Sequence, residues 1–397
     1  MEEQQSQLAA QADKLAAAGD AAGLQALWGR IISDDVPQIV ARQATAHFAK
    51  ALVASPLARA EDGDVFLQIA EHCLAALAAR ATPPPAEEAE RTLREALFDH
   101  YVAAELFKDA ANALAGLNLE GAAGRALSDE EKAEVHVKVA EAFLADDEPD
   151  AAENYVNKAS PRMAEVQNWQ LQLRYRTVSA RVLDANRKFL DAAMRYYELS
   201  QARQAAQIAA EDLLELLGRG ITCAVLGKAG PQRTRILANF YKDPRLASLE
   251  NVPPFQAHSQ VLTKMYKCQV LRKNEMKAFE EGLAEHQKAK MGDGLTIPER
   301  AVIEHNMVAA AHIYENVRFG ELGALLEIPP AKAEQVAARM ISEKRLEGSI
   351  DQVDGVLQLG SGGGELQDWD ERLGAACARI ATCVEAIGAE HPQLVEA

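Results

Sequence analysis

Apolar residues recur at helical spacing along most of the chain, with alanine and charge filling the positions between them. Over residues 1–80 the pattern predicts helices separated by polar breaks at Gly19–Asp20, Ser33–Asp35 and Glu61–Asp64. Thr82–Pro85 is a stiff stop, because consecutive prolines cannot continue a helix, and Ala86 to Phe107 resumes the helical pattern. A repeat then emerges. Asp109-Ala110-Ala111, Asp150-Ala151-Ala152 and Asp191-Ala192-Ala193 recur 41 residues apart, each after one predicted helix and at the start of the next. Each aspartate is expected at an N-cap, accepting backbone N–H bonds, while the alanines let paired helices approach closely. Tyr155 and Tyr196 sit about a turn beyond their aspartates. A period near 40 with two helices per unit predicts an all-α solenoid of TPR-like helical repeats over 1–220. Such a stack presents an extended concave surface, which suits binding and offers no buried pocket for chemistry.

Residues 221–316 read as a further helical part. The apolar stretch Ile208–Leu226 ends at Gly227–Pro231, and helices follow around Arg235–Tyr241, Ser259–Lys267 and Asn274–Gln287. Val252–Pro254 and Gly292–Gly294 break them, and Ile297–Tyr314 is a longer helix.

The pattern changes at Val317. Val317-Arg318-Phe319 is a short strand-like run, and Gly320–Leu326 is a short helix with Leu322, Leu325 and Leu326 on one face. Ile328-Pro329-Pro330 interrupts it, and Pro330 suits the first position of a helix running to about Lys344. That helix buries Ala333, Val336, Ala337, Met340 and Ile341. Leu346, Ile350 and Val353, the turn Asp354-Gly355 and Val356–Leu359 then read as two strands of a hairpin. Helix, strand, helix, turn, helix and wing make a winged-helix module over 317–360. Modules of this kind commonly read DNA with their third helix. Between Val317 and Leu359, however, five basic residues face seven acidic ones. Phosphate binding needs a basic surface, so the module reads as protein-binding. Gly360–Gly364 is a flexible linker. The last segment, 361–397, ends in a helix with Trp369, Leu373, Cys377, Ile380, Val384 and Ile387 in a heptad-like stripe. The stripe fits a bundle with partner helices, or a fold-back onto its own domain.

Composition narrows the function classes. Hydrophobic content of 48% supplies a sizeable core, and only 5% of residues are aromatic, which favours close-packed helices. A net charge of −17 argues against nucleic acid or an anionic membrane as the main partner. Five scattered cysteines without a Cys-x-x-Cys pair fit a reducing compartment, cytoplasm or nucleus. No apolar run approaches the ~18 residues of a membrane span, and the N-terminus lacks the basic region of a signal peptide.

Signals for chemistry are weak. Gly227-Lys228 lacks the spacing and the hydroxyl residue of a phosphate loop, and Gly227 reads as a helix C-cap. His305 and His312 share a helix face near Glu304 and Glu315, but no closely spaced histidine pair exists to hold zinc. They read as packing residues. No nucleophile elbow is present. Lys264, Lys267, Arg272 and Lys273 around Tyr266 form a basic cluster that reads as a solvated face or a patch for an acidic partner. The chain is expected to be no enzyme, with no catalytic residue, cofactor or metal.

An α-solenoid running into an acidic winged helix, a linker and a C-terminal helix is the layout of PCI-domain subunits. These occur in the proteasome lid, the COP-9 signalosome and translation initiation factor three. Local text resembles the signalosome members: Gln232–Leu237 with Phe240–Asp243, Lys264–Tyr266, His286–Ala289, Arg300–Asn306, Phe319–Ile328 and Ile350–Gly355. The match is dense over 230–360 and loose before 220, and it departs at 246–256 and in the glycine linker. The resemblance implies a non-catalytic scaffold and substrate-sensing subunit. The complex removes a ubiquitin-like modifier from cullins through a separate zinc peptidase subunit. It also implies joining through the winged helix, with Phe319, Leu322, Leu326, Ile328, Ile350, Val356 and Leu357 as candidate interface residues. Trp369, Leu373, Ile380, Val384 and Ile387 are those of the bundle helix. Expected partners are other PCI-domain and peptidase-type subunits and the neddylated cullin–RING ligase, without nucleic acid or membrane. The alternatives are a lid subunit of the same layout and, from another class, an RNA-binding winged helix.

Overall fold

The computed structural model describes residues 2–33, 35–59, 64–79, 86–119, 127–201, 208–292, 294–360 and 365–390. The breaks expected at Asp34, Glu61–Gly63 and Thr82–Pro85, and the linker residues 361–364, lie outside them. The chain forms two compact units, Met1–Arg187 and Lys188–Ala397.

The first unit is a run of helices: α1 (Glu2–Ala18), α2 (Ala21–Ile31), α3 (Gln38–Ala54), α4 (Asp64–Ala78), α5 (Glu87–Ala103), α6 (Phe107–Ala115), α7 (Asp129–Ala145), α8 (Pro149–Ala159) and α9 (Trp169–Ala185). Local chemistry starts several of them. The Asp20 carboxylate accepts from the Gly23 N–H at 3.0 Å, Ser128 and Glu131 form a reciprocal capping box, and Asn168 caps α9. Two apolar cores result. One gathers Trp28, Phe48 and Phe66 with residues of α1–α5, and the other runs from Ala111 to Val182.

The repeat has a different local cause from the one expected. Asp109, Asp150 and Asp191 lie inside the first helical turn, and the N-cap residues are Leu106, Glu148 and Lys188, without side-chain caps. The aspartates therefore act on the positive end of the helix dipole rather than as caps. The turn itself is made one step earlier. Glu105, Asp147 and Arg187 all take left-handed backbone, with φ of 60°, 56° and 59°. The Leu106 N–H donates to the Tyr101 carbonyl, and Glu148 to Phe143, each at 2.9 Å. These are the long bonds of Schellman turns, closed here without glycine. The alanines behave as read: Ala110, Ala111, Ala152, Ala192 and Ala193 are all buried.

The second unit begins with α10 (Phe189–Ser200), α11 (Ala210–Leu226), α12 (Pro231–Tyr241), α13 (His258–Tyr266), α14 (Lys273–Glu281) and α15 (Ile297–Ala311). Gly227 is the α11 C-cap, but its backbone is extended (φ −63°, ψ 152°). Space explains the glycine, since a Cβ there would lie 2.3 Å from the Leu190 side chain. Helix α14 stops at Gly282, short of the expected Gln287, and a single 3₁₀ turn covers Glu285–Lys288.

The winged helix follows: β1 (Asn316–Arg318), α16 (Phe319–Leu326), α17 (Pro330–Ser342), β2 (Gly348–Asp351), β3 (Val356–Leu359), and then α18 (Glu365–Glu390). The three strands form one antiparallel sheet in the order β1-β3-β2. Val317, Leu357 and Ile350 stand opposite one another and face the core, while Asn316, Gln358 and Ser349 share the other face. The wing loop spans four residues, 352–355, rather than a two-residue turn, because Asp351 pairs with Val356. Helix α17 ends at Ser342, where Lys344 turns left-handed and the Arg345 N–H closes on the Met340 carbonyl at 2.8 Å.

Candidate protein-interaction site

Helix α15 is the point where the winged helix is fixed to the helices before it. Ile303, Glu304, His305, Asn306 and Met307 are all buried, so the helix has no solvent face there and each polar group needs a partner. Asn306 makes two bonds to Leu271, accepting from its N–H and donating to its carbonyl, both at 2.8 Å. The His305 Nε2 meets the Gln269 carbonyl at 2.9 Å. Glu304 reaches Arg345, just past α17, at 2.5 and 3.1 Å. It also meets Arg300 at 3.3 Å, Arg339 at 3.7 Å and the Ala229 N–H at 3.4 Å. One carboxylate thus ties α15, α17 and the end of α11 together. Burial alone would raise the Glu304 pKa, but the Arg345 bonds and charge outweigh it and hold it below the ordinary 4.5.

This clamp is absent from the sequence reading. Arg345 lies 41 positions beyond Glu304, and no local pattern links them. The available clue was consecutive polar residues, Glu304 to Asn306, in the middle of an apolar helix. His305 and His312 do not converge. His305 is buried on its backbone bond, whereas His312 is the exposed C-cap of α15. Two turns apart, they are separated along the axis by about 10 Å. Among the described residues no cluster of three metal-ligating side chains exists.

The seven candidate interface residues of the winged helix divide. Phe319, Leu322, Leu326 and Leu357 are buried in the module's own core, and Ile328 and Ile350 pack half-buried against it. The four buried ones shape the module and present no surface of their own. Val356 is half-buried on the outer face, in register with Arg318 and Asp351. Within the sheet, β1 and β2 are the edge strands, each with one side of its backbone unpaired by another strand.

The stripe on α18 is open. Trp369, Leu373, Ile380, Val384 and Ile387 are 50–63% exposed on a helix of 26 residues. Five large apolar side chains, at about 1.5–3 kcal/mol each on burial, are a strong driving force for association. The basic cluster is partly neutralised: Lys264 pairs with Glu275, and Lys273 meets Glu327 at 3.1 Å. Among the described residues no helix is long and apolar enough to cross a membrane.

Helical repeats leading into a three-stranded winged helix, with the α15 clamp behind it, define the layout of a PCI-type subunit. Comparison with known proteins agrees. Residues 283–361 match the PCI domain family, and 86–207 match the family described as PSMD12/CSN4, N-terminal. COP9 signalosome complex subunit 4 of Arabidopsis thaliana is 39% identical over 88% of this chain and 85% of its own. The Dictyostelium discoideum protein of the same name is 39% identical over 78% of this chain and 75% of its own. That of Drosophila melanogaster is 36% identical over 78% and 73%. The chain belongs to the COP9 signalosome complex subunit 4 family. These relatives do not favour the lid alternative.

Proposed function

We propose that this chain is a non-catalytic scaffold and substrate-sensing subunit of a COP9 signalosome. It supports removal of a ubiquitin-like modifier from cullin–RING ligases by a separate zinc peptidase subunit. The observation that carries the reading is the open stripe of α18, on a family member whose winged helix already has a complete core of its own. In this reading residues 1–220 are the repeat arm that meets the neddylated cullin–RING ligase. Residues 221–316 and 317–360 are the two parts of the PCI domain, and 361–397 are linker and bundle helix. An edge strand of the winged helix adds to a neighbouring subunit, and α18 enters a bundle with partner helices. The assembly would work in cytoplasm and nucleus.

The test is Ile380→Asp together with Val384→Asp. Buried charge in a bundle is costly, so the variant should no longer co-purify with other PCI-domain subunits. Its melting temperature as a free chain should stay within about 1 °C, because both positions are exposed. Retained co-purification would remove the bundle from the account.

A further inference from the structure

In the first unit, the chain after α6, the first turns of α7 and the end of α8 enclose a cleft of about 360 Å³. Its apolar lining comprises Leu114, Val135 and Val139, all buried, and Leu117 and Leu119, half-buried. Its rim carries His136, Tyr155, Lys158 and Arg162. Lys158 Nζ lies 4.4 Å from the Tyr155 ring centroid, and the His136 ring is 6.0 Å from the same tyrosine. Arg162 Nη1 donates to the Lys158 backbone carbonyl at 2.9 Å, which ties the guanidinium to the end of α8. The nearest carboxylate to Arg162, Asp129, stands 3.7 Å from its Nε. No carboxylate pairs with Lys158 among the described residues. Two cations thus face one loosely held carboxylate in a chain whose net charge is −17. Burial, together with Arg162 and Lys158, pushes the His136 pKa down to about 4.

We propose that this cleft binds an acidic–aliphatic segment of a partner protein. An aliphatic side chain seats against the half-buried Leu117 and Leu119, and an adjacent carboxylate meets Lys158 and Arg162. The apolar lining with a few convergent polar groups is the usual form of a small recognition site. Carboxylate bonds to lysine and arginine are charge-assisted and fix the orientation of the bound segment. Lys158 gives up only its contact with the Tyr155 ring to reach an incoming acid, so little existing structure is lost. The cleft is part of the first unit, whereas the sheet and α18 belong to the second.

Fluorescence anisotropy on the full chain tests this with a labelled peptide of sequence Gly-Ser-Asp-Leu-Leu-Glu-Ser-Gly. Two control peptides replace the leucines by serine, or the acids by their amides. Saturable binding should weaken at least about tenfold with either control peptide. The same loss is expected for Lys158→Glu and for Arg162→Glu, both rim positions, with the melting temperature checked for each. Lys158→Arg should retain binding. Absence of saturable binding would overturn the proposal. So would equal binding of the serine peptide, which would mean diffuse charge attraction, or binding that survives both charge reversals.

Discussion

Glu304 sits in the interior between three half-buried arginines and one backbone N–H. Replacing it by glutamine keeps the shape and removes the charge that balances Arg345. Breaking one side of a buried pair costs about 3–5 kcal/mol, and Glu304→Gln should lower the urea midpoint accordingly. Arg345 retains Glu343 at 2.7 Å, so the cost should fall toward the lower end. The same interior sets the acid limit of the fold. His258 and His305 are both held at about 4, His258 by burial and His305 by burial and the nearby Arg233. An unfolded chain takes up those protons near the ordinary 6.5. Their contribution is therefore complete above pH 6.5 and is lost as pH falls toward 4. Each histidine adds a slope of about 1.4 kcal/mol per pH unit inside that window. Glu304, with its depressed value, adds a further loss below 4.5. Urea midpoints measured from pH 7 downward should show the slope, and His305→Gln should flatten it. A midpoint unchanged across that range would contradict these assignments.

Among the elements, the β2–β3 hairpin is held by a backbone approach that leaves no room for a side chain. A Cβ on Gly348 would lie 2.3 Å from the Gln358 carbonyl oxygen, on the strand opposite. Gly348→Ala should push β2 off β3 at a cost of about 1–3 kcal/mol. Hydrogen exchange at the Gly360 amide, which donates to the Glu347 carbonyl at 3.0 Å, reports it directly, and unchanged protection there would argue against the contact. The helices and strands of this module were legible beforehand because the apolar period switches from helical to alternating spacing, with Pro330 and Gly355 marking the changes. The repeat was legible from its spacing and not from its mechanism. Glu105, Asp147 and Arg187 carry the left-handed turns, and nothing in those residue types announces that backbone. Of the proposed interaction residues, the α18 stripe was readable because exposure and periodicity coincide on a single helix. Phe319, Leu322, Leu326 and Leu357 were read as interface, yet they also meet the demands of a core, and sequence alone does not separate the two. The Glu304 clamp was hidden because its partners come from three separate stretches of chain.

For the molecule as a whole, charge and surface favour protein partners. With a net charge of −17 and half of its basic cluster paired to glutamates, the chain should bind single-stranded RNA weakly or not at all, even at low salt. A filter-binding titration checks this, and tight, steeply salt-dependent binding would restore the RNA-binding reading. The membership of the assembly is the larger claim, and in the proposed reading an edge strand and the open stripe of α18 are the surfaces that partners cover. Native mass spectrometry of the tagged endogenous protein tests it most directly. The account predicts a stoichiometric assembly containing other PCI-domain chains and a zinc peptidase subunit, with cullins at lower occupancy. Recovery of the chain alone, or with proteasome core and base subunits, would contradict it.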